Sequence, residues 1–168
     1  MHLRSKLYAN SGDQYGLVRN LSHAILRHEA EEGHRRTIVI GDFNMDPFEE
    51  AMLACDGLHA LMSRREIAVR RGQRRWGDGD YEMFFNPMWQ HFGDQNGRPA
   101  GSYYFSKGGL ATQYWHMFDQ VIIRPALLDG FDDEGVSVIA DIPGISLLDL
   151  RGRPRFSDHL PLLFRLRF

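Results

Sequence analysis

Apolar positions recur along the chain in two periods, and each predicts a different kind of element. From about Asp13 to Glu32, Leu17, Val18, Leu21, Ala24, Ile25 and His28 fall on one stripe at helical spacing. Ser11 or Asp13 can cap the start of that helix, and Gly33 can end it. Thr37-Ile38-Val39-Ile40 is a β-branched run that predicts a buried strand. A second helix follows from Pro47 to about Cys55, with Asp46 as N-cap, Pro47 at the first helical position and Glu49 completing a capping box. Ser102 to Phe105 reads as a short strand, Phe118 to Ile123 as a second buried strand, and Val136 to Ala140 as another. Leu162 to Phe168 alternates, which predicts a half-buried terminal strand. The stretches 58–79, 93–101 and 141–155 read as loops, and Met1 to Tyr8 reads as the end of a strand running into a loop. Helix, buried strand and helix in succession point to a layered α/β fold in one domain spanning 1–168.

Composition narrows the function classes. At 168 residues, 43% hydrophobic and 25% charged, the chain suits a single globular domain with a real core. A net charge of −2 supplies no global field toward nucleic acid or membrane, so a nuclease would have to use a local basic patch. Arg64, Arg65, Arg70, Arg71, Arg74 and Arg75, followed by Trp76, are such a concentration. Arg71 and Arg74 are its substrate-binding candidates. The competing reading is a solvated segment with salt bridges to nearby acids. Aromatics from Tyr81 to Trp115 read first as core, with Trp115 the candidate wall of a cleft. Cys55 is the single cysteine, so no internal disulfide can form, and its apolar neighbours predict a buried helix thiol. No run reaches the roughly 18 apolar residues of a membrane span. The first residues lack a signal peptide's apolar core, so the expected location is cytoplasmic.

Chemistry concentrates at three stations. Gly41 lets the backbone pass close to something at the strand's end. Asp42 and Asn44 are two apart, so on an extended backbone both side chains point the same way. A carboxylate and an amide projecting from a strand end suit a polar site. Asp119 lies near the start of an apolar run, where it is costly unless hydrogen-bonded or paired; its bland role would be a cap or a buried ion pair, its functional role holding a histidine or polarising a water. Asp158 and His159 stand together before the terminal strand.

The order Gly41-Asp42-Phe43-Asn44, Phe118-Asp119-Gln120-Val121 and Ser157-Asp158-His159 resembles the endonuclease/exonuclease/phosphatase superfamily, the deoxyribonuclease I-like family. His2-Leu3-Arg4-Ser5-Lys6 also resembles that family's His-Leu segment, and Trp115 sits where many members place an aromatic. The resemblance implies a β-sandwich flanked by helices, in four α/β/β/α layers. It implies a metal-dependent phosphoesterase, of nuclease or phosphatase type, that works by in-line attack of an activated water. Asp42 would orient or deprotonate that water, and Asn44 would hold Asp42 and the scissile phosphate. Asp119 would fix a protonated His159 facing the phosphate, His2 would donate to a phosphate oxygen, and Asp158 would lie on the metal side. The implied cofactor is magnesium, with manganese as its substitute, a hard cation content with few carboxylates. The partner is a phosphate-ester substrate, nucleic acid among the options.

The resemblance covers roughly the last two-thirds of the family's pattern. That pattern begins with an Asn and a metal-binding Glu, neither of which precedes His2; Glu29, Glu31 and Glu32 lie on a helix at the wrong place. The N-terminal part is therefore expected to be missing. A partly uncovered sheet face, with self-association or a complementing N-terminal half, is the corresponding expectation. A non-catalytic fragment or partner-binding module that retains the site motifs is the alternative function.

Overall fold

The computed structural model describes residues 1–3, 11–93, 98–107, 110 and 112–167. Helix α1 (Ser11–Glu32) begins two residues before the predicted Asp13 and ends at Gly33, whose φ of +70° suits a glycine. His34 N–H closes that end on Glu29 O at 3.1 Å. The inward stripe runs through Gln14, Val18, Leu21, Ile25 and Glu29, whereas Leu17, Ala24 and His28 face outward. The stripe is turned from the predicted one because two polar side chains, Gln14 and Glu29, take inward positions.

The rest of the chain builds small sheets. In order come β1 (Ile38–Asp42), α2 (Glu50–Leu53), β2 (Ala60–Leu61), α3 (Arg64–Val69), β3 (Gln73–Trp76), β4 (Gly79–Glu82) and β5 (Phe84–Phe85). After them come β6 (Tyr103–Tyr104), β7 (Trp115–His116), β8 (Asp119–Ile123), β9 (Ser137–Val138), β10 (Asp141–Ile142), β11 (Ile145–Ser146) and β12 (Leu162–Leu163). The largest sheet runs β1-β8-β5-β2, antiparallel except for the β5–β2 pair. The architecture is mixed α/β.

β8 is the spine. Its residues alternate between two cores, which is how a period-two strand buries both faces. Ile122 joins Val18, Phe43, Met52 and Phe84 beneath α1. Val121 and Ile123 join Ile67, Met83, Phe85 and Phe131 on the other face, with Leu162 and Leu166 packed alongside. Each such fully buried side chain contributes about 1.5–3 kcal/mol. The expected uncovered face is thus not found at β8. Edge strand β1 is less covered, with Ile40 39% exposed. The first residues run along that edge: Asp42 N–H donates to Met1 O and Leu3 N–H to Asp42 O.

Several predicted elements differ. The helix expected over 47–55 is only Glu50–Leu53, with Glu49 at its N-cap. Asp46 is unavailable for capping because its carboxylate is bound elsewhere, while Glu49 Oε1 still accepts Asp46 N–H at 2.8 Å. Cys55 is consequently a half-buried thiol in a turn, not in a helix. The stretch 58–79 contains β2, α3 and β3, because Ser63 caps α3 by accepting Glu66 N–H. The 141–155 loop contains the β10–β11 hairpin, turning at Pro143-Gly144. Among the terminal residues only Leu162–Leu163 form a strand, and Leu166 makes a bridge to Phe131. Phe168 and most of the first eight residues lie outside the described residues. No described helix is long and apolar enough to cross a membrane.

Candidate active site

The antiparallel register of β1 and β8 sets Asp42 opposite Asp119 at one end of the sheet. Gly41, with φ +143°, is where Met1 crosses β1; a Cβ there would collide with the Met1 backbone. The crossing carries His2 to within 3.4 Å of Asp42, from Nε2 to Oδ2.

Asn44 reaches Asp42 by a route the sequence did not suggest. It does not continue an extended strand; its φ is +50°, in the left-handed region that asparagine tolerates. The turn aims both of its donors back at Asp42. Asn44 N–H donates to Oδ1 at 2.7 Å, and Nδ2 donates to Oδ2 at 2.8 Å. Nδ2 also donates to Leu3 O at 2.9 Å. Asp42 is therefore held on both oxygens.

Across the register, Asp119 Oδ2 accepts from His159 Nδ1 at 2.7 Å. That bond fixes the imidazole's tautomer and leaves Nε2 as the nitrogen for a ligand. The segment carrying His159 is anchored at several points. His159 N–H donates to Ser157 Oγ, Leu160 N–H to Ser102 O, and Tyr104 N–H to Asp158 O. Ser102 Oγ in turn accepts Asp119 N–H at 2.9 Å, and the Tyr103 ring packs 4.6 Å from the imidazole.

Burial pushes the Asp42 carboxyl above the usual carboxylate range; the Asn44 N–H and the positive charges of His159 and His2 oppose this, and Asp119 adds to it. The hydrogen bond to Asp119 raises the His159 pKa above the ordinary imidazole value. Desolvation opposes that rise, and the negative charges of Asp119, Asp42 and Asp158 reinforce it. A carboxyl and an imidazole, each with its pKa raised, thus share one partly buried spot.

Asp158 is exposed, with Ser157 Oγ 3.4 Å from its Oδ1. Trp115 packs edge-on against Tyr104 at 5.3 Å, beside the cluster rather than in it. Arg71 and Arg74 are not brought to this end. Their segment docks at the far end of β8, where Gly72 faces Pro125 and accepts Met83 N–H. Arg74 stacks over Trp76, while Arg64, Arg70 and Arg75 pair with Asp133, Glu66 and Asp80. For those three, the salt-bridged reading of the arginine run holds.

Sequence reasoning missed a second carboxylate–imidazole pair. Asp46 is 2% exposed and accepts from Met117 N–H at 2.7 Å, His116 Nδ1 at 2.8 Å and Gln113 Nε2 at 2.8 Å. It ties the Asn44 turn to the approach of β8. The one available signal was His116, three residues before Asp119.

Magnesium fits poorly as a resident ion. Among the described residues no group of three His, Cys, Asp or Glu side chains converges as a ligand set. The Asp42 oxygens and Asp119 Oδ2 already accept hydrogen bonds, and the exposed Asp158 accepts one from Ser157 Oγ. No family model, no curated protein and no solved structure matches the chain.

Proposed function

We propose that this chain is a phosphoesterase of the endonuclease/exonuclease/phosphatase type, built on that family's four-layer plan. The observation that carries the proposal is the meeting of Asp42–Asn44 and Asp119–His159 across one strand register. A phosphate ester is anionic and repels nucleophiles, so its hydrolysis needs positive charge at the phosphoryl oxygens and a base for the water. Imidazolium His159, kept protonated by Asp119, supplies the first. Asp42 supplies the second, held there by Asn44 N–H and Nδ2, whose remaining hydrogen goes to Leu3 O. His2 adds a donor on the same side. The water's oxygen bonds to phosphorus while the ester P–O bond opposite breaks. Asp42 takes the water's proton and releases it to solvent, and the leaving oxygen is protonated from His159 or solvent.

A non-catalytic module retaining these motifs is the second reading, favoured by the lack of a converging metal-ligand set among the described residues. Hydrolysis of bis(p-nitrophenyl) phosphate and of plasmid DNA, with magnesium or manganese in the buffer, separates the two. Turnover that falls about 100-fold or more in both Asp42→Ala and His159→Ala is the expected result. No turnover, or turnover undiminished in both variants, supports the module.

A further inference from the structure

The turn that follows β1 is gripped by buried polar side chains from distant parts of the chain. Gln120 of β8 is buried, and its Nε2 donates to Met45 O at 2.6 Å. Gln120 is itself fixed, because its Oε1 accepts from the buried Asn86 Nδ2 at 2.7 Å, and Asn86 Oδ1 accepts Met88 N–H at 3.0 Å. Gln14 of α1 is also buried, and its Nε2 donates to Asn44 O at 3.4 Å. On the other side of the turn, the buried Asp46 carboxylate accepts Met117 N–H on Oδ1, and His116 Nδ1 and Gln113 Nε2 on Oδ2. Phe43 N–H donates to Phe118 O at 2.8 Å. Residues 43–46 are thus held from α1, from β8 and from the segment that leads into β8.

A buried amide or carboxylate is costly unless hydrogen-bonded, and an apolar side chain would fill the same core volume without that cost. Gln14 and Gln120 direct their donors at successive carbonyls of one turn, and Asp46 fastens the same turn. That turn sets Asn44 at φ +50°, a sparsely populated conformation that persists only where its surroundings impose it. With Asn44 extended instead, its N–H would leave Asp42 Oδ1. Resting on the phosphoesterase reading for its kinetic consequence, we propose that Gln120 and Asp46 are positioning residues, which act through the left-handed Asn44 turn to hold Asp42 for its water. Neither touches the reacting atoms. Burial raises the Asp42 pKa, and the Asn44 N–H is the largest influence opposing that rise, ahead of His159 and His2, while Asp119 on β8 adds to it. Release of the turn therefore shows in the titration of Asp42.

The test is a carbon-13 NMR titration of the Asp42 carboxyl in the full chain, with the signal assigned by Asp42→Asn. Gln120→Met and Asp46→Ser each raise the midpoint above the parent's. Tyr15→Phe, which loses a hydrogen bond to Asp56 elsewhere in the molecule, leaves it unchanged. In the parent, the Asn44 amide proton shift follows the same titration, a reading that needs no substitution. With bis(p-nitrophenyl) phosphate, kcat falls about 10- to 100-fold in Gln120→Met and Asp46→Ser while KM changes little, since a misplaced base affects the transition state and not the binding of the ester. An Asn44 amide indifferent to the Asp42 titration, or an Asp42 midpoint unmoved in every folded variant, overturns the proposal. Should neither variant fold, the parent's Asn44 amide decides alone. A midpoint that rises in a chain hydrolysing no ester leaves the positioning standing and removes the phosphoesterase reading. Hydrolysis with an unmoved midpoint removes the positioning and leaves that reading intact.

Discussion

Asp42 and His159 have opposite protonation requirements, and both have raised pKa values. Phosphoester hydrolysis needs Asp42 ionised and His159 charged, so kcat/KM should follow a bell in pH. The acid limb should lie above the usual carboxylate range, because burial raises Asp42. The alkaline limb should lie above about 6.5, the ordinary imidazole value. Asp119→Asn removes the main cause of the His159 rise and should move the alkaline limb downward; it also removes a smaller contribution to the Asp42 rise, so the acid limb should move down as well. An alkaline limb that stays put would separate Asp119 from the chemistry. The same shifts bear on stability. A raised pKa contributes stability while the group is protonated, and that contribution is lost as pH rises through the raised value. His159 therefore loses its contribution on the alkaline side of 6.5. Asp42 loses its own at acid pH, so at neutral pH its ionised form is held at a cost to folding.

At the scale of elements, the fold turns on how α1 meets β8. Arg124, just past the end of β8, is buried and forms a two-pronged pair with Glu29 of α1, at 2.8 and 3.0 Å. It also donates to Met83 O and lies over the Phe84 ring at 3.8 Å. Glu29→Ala should cost about 3–5 kcal/mol in urea unfolding, since it strands a buried guanidinium. Replacing both residues with methionine should cost much less, because no charge is then left unpaired. A single variant as stable as the parent would mean that water reaches the pair. Elements with one dominant period were legible in the sequence: α1, β1 and β8 all lie where hydrophobic spacing put them. The short helix after Pro47 was not. Asp46 looks like a cap from local sequence, and only the distant 113–117 segment reveals its other use. Strand β3 and the β10–β11 hairpin carry exposed side chains, so periodicity offered no signal for them.

At the scale of the whole molecule, residues from four places in the chain meet because one register aligns β1 with β8 and two flanking segments lie against it. The order of acidic stations was readable from the sequence, whereas the Asp119–His159 partnership was implied only by the family resemblance. The left-handed turn at Asn44 and the aromatic wall of Tyr103 depend on tertiary packing that no local pattern encodes. The location of Arg71 and Arg74 depends on which end of the sheet the β3–β4 hairpin joins, which composition cannot specify. The convergence itself is what NMR titration of the His159 imidazole tests most directly, with the signal assigned by His159→Gln. The convergence predicts a midpoint above about 6.5 that falls in Asp119→Asn and, by a smaller amount, in Asp42→Asn. A midpoint at or below that value, unmoved by either substitution, would contradict it.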